Sequence, residues 1–360
     1  GDYVPDLVAP MTGQGVLYGV ICLNGLPPGD AMAREGFQLC EHLSRYSVMG
    51  FAEVVAALPR MMALERRLRR EALSRRPDAV LLVDYPGFNL RFARWAASRG
   101  MPVIYYVSPQ LWAWGRHRVA KVRKSVDLMI TLFRFEREFY SRNGVEAFWA
   151  GHPLVDRIPR PDAGTVPGGP LALLPGSRRQ EVSRLAKPMA GALRRLVASN
   201  AVDGARLAVS PHLPPAAYDP LFSMEEVEPV QGVRQALTGA SAAIVCSGTA
   251  TLEGALHGVP FIIAYRASPL TYLIARSLIR DIDHIGMPNL VAGKRVVEEL
   301  VQGLVTPLTL EQSVGPLVEA GSQREQCLKG LESVRKALGP PGAADRAAKR
   351  IAKELEERSG

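Results

Sequence analysis

Short apolar runs bounded by Gly or Pro alternate along nearly the whole chain with stretches whose apolar residues recur every three or four positions. Runs of four to six apolar residues read as strands buried on both faces, and the patterns between them as amphipathic helices, which is the rhythm of parallel α/β units. Ala79–Val83 predicts a buried strand, Asn89–Ser98 a helix closed by Gly100, and Pro102–Val107 the next strand, completing one βαβ unit. A Pro/Gly-rich break at Pro159–Pro170 is the natural linker. Beyond it, Leu171–Leu174 predicts a strand, Arg179–Ser199 a helix in spite of Pro188, and Arg206–Val209 another strand. From Gln235 to Tyr265 the only formally charged residue is Glu253, and the stretch divides into strand Ala242–Cys246, loop Ser247–Gly248, helix Thr249–Leu256 and strand Phe261–Tyr265. The economical architecture is α/β, with two Rossmann-like doubly wound domains facing a cleft. Residues 1–158 form the first and 159–340 the second; the tail 341–360 carries a charged amphipathic helix, Asp345–Arg358, that packs back on the N-terminal domain or on a partner subunit.

With 360 residues, 47% of them hydrophobic, the chain can bury two cores, so disorder is excluded. No run of 18 apolar residues appears, so any membrane contact is expected to be peripheral. Cys22, Cys40, Cys246 and Cys327 are far apart without a CxxC, which argues against a disulfide framework or zinc site and fits a reducing cytoplasm. His42, His117, His152, His212, His257 and His284 lack metal-ligand spacing and read as structural or exposed, and no GxSxG elbow marks a hydrolase. The pattern calls for no cofactor and no metal. The chain opens at Gly1–Asp2 without an initiator Met, which predicts a missing N-terminal piece.

The formal charge of +9 is concentrated. Seven arginines (Arg60, Arg66, Arg67, Arg69, Arg70, Arg75, Arg76) against Glu65 and Glu71 give a net +5, and Arg116, Arg118, Lys121, Arg123 and Lys124 another +5, so the rest of the chain sums to −1. Either stretch can be a solvated helix face. Each, however, follows apolar residues: Val48, Met49, Phe51, Val54, Val55 and Leu58 before the first, Leu111, Trp112 and Trp114 before the second. Apolar surface beside cations suits an anionic lipid interface, whereas aromatic spacing offers no nucleic-acid motif.

Parallel sheets bind ligands outside the carboxyl ends of their strands, so residues just after strands are the candidates. In Asp84–Asn89 a carboxylate leaves a strand at a Pro/Gly turn, placed either as a general base or as a helix cap or Arg partner. Pro175–Gln180 runs from strand into helix; Ser177 and Gln180 have capping-box spacing, and the free amides with Arg178 would suit a phosphate. Ser247, Gly248, Thr249 and Ala250 let a ligand approach a helix start, with Glu253 one turn on, paired to an Arg such as Arg266 or kept for ribose hydroxyls. Asn289, in Met287–Leu290, sets an amide in a Pro turn, for a phosphate or as an Asx turn.

Together, VDYPGFN (83–89), YVSPQLWAW (106–114), GHPLVD (151–156), LLPGSR (173–178), SGTATLE (247–253) and MPNLVAG (287–293) resemble the lipid-A-disaccharide synthase family, GT-B glycosyltransferases of family 19, in family order. The resemblance implies inverting transfer from UDP-2,3-diacylglucosamine to 2,3-diacylglucosamine 1-phosphate (lipid X), giving the lipid A disaccharide 1-phosphate and UDP. It implies Asp84 as the base. Ser177, Arg178, Ser247, Gly248, Thr249, Ala250 and Asn289 would hold the UDP-sugar, with Glu253 on the ribose. The segment 48–58, with Trp112, Trp114, Arg116 and Arg118, would meet acceptor and membrane, peripherally on the cytoplasmic face of the inner membrane. A homodimer is compatible. The family's opening strand and Gly-Glu-x-Ser-Gly-Asp loop are reduced here to Gly1–Asp2, which predicts a fragment of a longer product. The competing readings are another GT-B enzyme using UDP-GlcNAc, an epimerase included, and an inactive homologue that binds anionic lipid.

Overall fold

The computed structural model describes Leu7 and residues 51–160, 165, 167–268, 272–273 and 284–359; for residues 51–58 and 359 it describes the backbone alone. Gly1, Asp2, Cys22, Cys40, His42, Val48 and Met49 lie outside the described residues. The chain divides into two compact units, residues 1–153 with 340–360, and residues 154–339.

In the first unit α1 (Phe51–Arg75) precedes β1 (Val80–Val83), α2 (Pro86–Ala97), β2 (Val103–Tyr106), the single turn α3 (Leu111–Trp114), α4 (Val119–Arg123), β3 (Leu128–Thr131), α5 (Arg134–Arg142) and β4 (Ala147–Trp149). The strands form one parallel sheet in the order β1-β2-β3-β4, with Val80 opposite Val103, Ile104 opposite Leu128 and Met129 opposite Ala147. Four-residue spacing puts Leu64, Leu68 and Ala72 on one face of α1, buried in one cluster with Phe88, Phe92, Val103 and Tyr105. Burying each leucine contributes about 2 kcal/mol. The arginines Arg66, Arg67 and Arg70 take the exposed face. Glu65 is buried yet bonded to both Arg69 and Arg91, which offsets the cost of removing its charge from water. Helix α2 starts at Pro86, earlier than the apolar pattern indicates, because proline's fixed φ suits the first helical position.

The second unit contains β5 (Leu171–Leu174), α6 (Arg179–Ala198), β6 (Ala205–Val209), β7 (Val227–Gln231), α7 (Gly232–Leu237), β8 (Ala242–Cys246), α8 (Thr249–His257), β9 (Phe261–Tyr265), α9 (Met287–Ala292), β10 (Glu298–Val301), α10 (Pro307–Val318) and α11 (Ser322–Leu338). All six strands are parallel, in the order β10-β9-β8-β5-β6-β7. Counted from β5, this is the 3-2-1-4-5-6 order of dinucleotide-binding sheets read from its far edge, and the strand order reverses between β5 and β8. Both of those strands are buried at every position. Buried Arg324 ties this unit together through the carbonyls of Ser241, Leu317 and Thr165 and the Thr165 hydroxyl, so carbonyl dipoles take the place of a carboxylate partner.

The last helix, α12 (Ala343–Ser359), belongs to the first unit: Arg346 donates to the Ala150 carbonyl at 2.8 Å and Arg358 pairs with Asp127 at 3.0 Å. Among the described residues no helix is long and apolar enough to cross a membrane.

Candidate active site

In the first unit two neighbouring strands end on strained backbone. Strand β1 runs into Asp84 (φ 49°) and Tyr85 (φ 44°), and β2 into Val107 (φ 64°). These are left-handed conformations at residues with a Cβ, each costing about 1–3 kcal/mol, and β-branched Val107 is the least suited of the three. Asn89 holds the Asp84 backbone: its Nδ2 donates to the Val83 carbonyl at 2.9 Å and the Asp84 carbonyl at 2.7 Å, while the buried Tyr105 hydroxyl donates to that same Asp84 oxygen. Burial, and then the Asp84 charge, push the Tyr105 hydroxyl far above its usual pKa, so it remains a donor.

The Asp84 carboxylate, half-buried, takes up neither structural alternative left open by the sequence. Tyr85 is the N-cap of α2 and makes no side-chain cap bond, and among the described residues no Arg or Lys pairs with Asp84. Following β2, Trp112 is half-buried, its indole N–H 3.3 Å from Glu136 and its ring edge-to-face with Phe135 at 5.0 Å. Trp114, Arg116 and Arg118 are exposed. Phe51, Val54, Val55 and Leu58 fall in the first turns of α1. Beneath these loops burial holds the Glu136 carboxyl up at about 7 and the His152 imidazole down at about 3.

In the second unit both predicted loops fall at the switch point. Gly176 (φ 112°) turns the chain out of β5; a Cβ there would stand 2.5 Å from Glu181 Oε2. The expected Ser177–Gln180 box is not formed. The N-cap is Arg178, and Glu181 closes the turn: Oε2 accepts from the Ser177 and Arg178 amides at 3.1 and 3.2 Å, and Oε1 from Arg178 Nη1 at 2.8 Å. A carboxylate binds helix-start amides more strongly than a neutral side chain, so Glu181 prevails, and Gln180 accepts from Arg184 instead. The amides expected to be free for phosphate thus hold an internal carboxylate, while the Ser177 and Arg178 side chains are exposed.

Strand β8 leads through Ser247 into Gly248 (φ 150°) and α8, whose first turn no side chain caps; Thr249 is exposed and Ala250 half-exposed. Glu253 is half-buried one turn along. Arg266 donates to the Gln302 and Val305 carbonyls at 3.2 and 2.9 Å.

Asn289 requires a correction. Its amide is saturated: Nδ2 donates to the Val297 carbonyl and Glu299 Oε1, and Oδ1 accepts from the Val296 and Val297 amides, all at 2.7–2.9 Å. Fully buried, it holds the entry to β10 and has no donor left for a nucleotide. Glu299, which the sequence reading did not single out, completes that anchor by accepting from the Ile285 and Gly286 amides.

The family model for lipid-A-disaccharide synthetase matches residues 20–352. The chain is 38% identical to the lipid-A-disaccharide synthase of Myxococcus xanthus over 335 residues, covering 90% of this chain and 87% of that protein. The chain belongs to the lipid-A-disaccharide synthase family. The corresponding synthase of Koribacter versatilis is 36% identical over 382 residues, with 97% of both chains covered. Among solved structures, a putative UDP-N-acetylglucosamine 2-epimerase from Listeria monocytogenes superposes with TM-score 0.65 at 14% identity, covering 99% of this chain and 93% of that one. The calicheamicin glycosyltransferase CalG4 gives 0.61 at 15%, covering 99% and 95%. At such identities the likeness concerns the fold, which is GT-B. As a lipid-A-disaccharide synthase the chain is a glycosyltransferase of lipid A biosynthesis, joining UDP-2,3-diacylglucosamine to 2,3-diacylglucosamine 1-phosphate with release of UDP.

Proposed function

We propose that Asp84 is the general base of this transfer, taking the proton of the acceptor 6-hydroxyl as the sugar–diphosphate bond breaks. The observation that carries this role is the pinned, strained backbone beneath an Asp84 carboxylate that neither caps α2 nor pairs with an Arg or Lys among the described residues. The leaving diphosphate meets the uncapped start of α8 at Thr249 and Ala250, the Ser247–Gly248 turn, and the Ser177 and Arg178 side chains; their dipoles and charge stabilise it without a metal. Glu253 accepts from ribose hydroxyls. Exposed Trp114 beside Arg116, Arg118, Lys121, Arg123 and Lys124, with the arginine face of α1, supports peripheral attachment to anionic lipid on the cytoplasmic face of the inner membrane.

The test is UDP release with the diacylated donor and acceptor, with UDP affinity measured separately. Asp84→Ala is expected to lower turnover about 10³-fold with UDP affinity kept, and Glu253→Ala to weaken UDP affinity. The opposite pattern, or turnover of UDP-N-acetylglucosamine in place of the diacylated donor, overturns these assignments.

A further inference from the structure

The turn that follows β2, Val107–Trp114, holds a strained residue at one end and an exposed tryptophan at the other, and two side chains of α5 grip it from beneath. Glu136 and Tyr140 are four residues apart and therefore share a helix face. The Tyr140 hydroxyl donates to the Pro109 carbonyl at 2.5 Å. Glu136 accepts from Trp112 Nε1 and from the Phe133 amide, each at 3.3 Å. The buried Ser108 hydroxyl stands beside that carboxyl and has no hydrogen-bond partner among the described residues, so a donor is poised for it. Tyr140 on its own helix is the titratable group that faces Glu136; Tyr105 from β2 faces Tyr140 in turn, and His152 lies one ring further away, across Phe133. Among the described residues no cation pairs with Glu136.

We propose that Glu136 is a positioning residue for the transfer, acting through Trp112 and Ser108: ionised, it draws the 108–112 turn into its working shape, and protonated, it releases it. The proposal rests on the reading that this turn serves the lipid-borne substrates. Burial raises the carboxyl to about 7 against the hydrogen bonds from Trp112 and the backbone and the neighbouring Ser108 hydroxyl, so both states are populated near neutrality.

The experiment compares Glu136→Gln, Glu136→Ala and Tyr140→Phe with the unaltered chain across pH 5.5–8.5, reading kcat, KM for the acylated acceptor, UDP affinity and tryptophan emission. Glu136→Ala is expected to lower kcat/KM for the acceptor about 10²-fold with UDP affinity unchanged. In the unaltered chain, turnover and tryptophan emission should change together with a midpoint near 7, and Glu136→Gln should abolish that midpoint in both. Tyr140→Phe loosens the same turn but keeps the titrating group, so its rate should fall with the midpoint retained. A midpoint that survives in Glu136→Gln overturns the proposal. An emission midpoint that Glu136→Gln abolishes, with no matching change in rate, overturns instead the reading that the turn serves the lipid substrates.

Discussion

The first unit turns out of its strands on Asp84, Tyr85 and Val107, and the second turns on Gly176 and Gly248. Both units adopt left-handed backbone at the carboxyl ends of parallel strands, but one does so with side chains in place and the other without. Glycine takes such angles at little cost: at Gly176 it leaves room for Glu181 to reach the Ser177 and Arg178 amides, and at Gly248 it leads into a helix start that no side chain caps. A residue with a Cβ stays in such a position only when its surroundings over-determine it, as Asn89 and Tyr105 do beneath Asp84. The turns of one unit therefore do without a side chain at the left-handed position, and those of the other fix a particular side chain there.

Asp84→Gly gives the sharpest test of this contrast. It relieves the strain at φ 49° and removes the carboxylate. Turnover is expected to fall about 10³-fold while thermal stability holds or rises. A destabilised protein that retained turnover would break the comparison.

The next largest effect concerns pH. Glu136, raised from 4.5 to about 7, keeps a proton in the fold that the unfolded chain releases, so its contribution makes stability fall as pH rises through that window. His152, lowered from 6.5 to about 3, stays neutral in the fold where the unfolded chain takes up a proton, so its contribution is lost as pH falls below 6.5. Between 4.5 and 6.5 the two slopes oppose and nearly cancel. Glu136→Gln leaves the histidine slope alone, about 1.4 kcal/mol per pH unit, so thermal melts of the variant should drop on acidification where those of the unaltered chain stay level. Level melts in the variant would contradict this pairing.

Gly176→Ala follows: its Cβ would press on Glu181, so UDP affinity should weaken about tenfold or more in a binding titration. Gly248→Ala meets no atom within 4 Å and should cost less, through backbone strain alone. The smallest effect is expected from Val107→Gly, which exchanges strain for unfolded-chain entropy and should raise stability by about 1 kcal/mol in denaturant unfolding.

The strands most legible in the sequence were those buried on both faces: β5, β8 and β9 are continuous apolar runs. The edges of the second sheet carry no such apolar run. Strand β7 is Val-Glu-Pro-Val-Gln and β10 is Glu-Glu-Leu-Val, polar because an edge strand leaves one side unpaired and so tolerates both Pro and charge. The loops carrying Asp84, Ser177 and Gly248 were visible because each directly follows an apolar run. Where their neighbours' polar atoms are engaged was not. Asn289 is saturated by residues seven to ten positions away, and Glu136 meets Trp112 across 24, distances over which no periodicity carries information. Glu181 was nearer to hand, one step beyond the spacing that pointed to Gln180.

Because α12 returns to the first unit, residues 154–339 are synthesised between the two pieces of that unit. The segment from Leu154 to Gly339 can close its own sheet while the earlier one still lacks the anchors that Arg346 and Arg358 bring to Ala150 and Asp127. Connectivity thus lets a nascent chain complete its nucleotide-type sheet before the unit bearing Asp84 is whole.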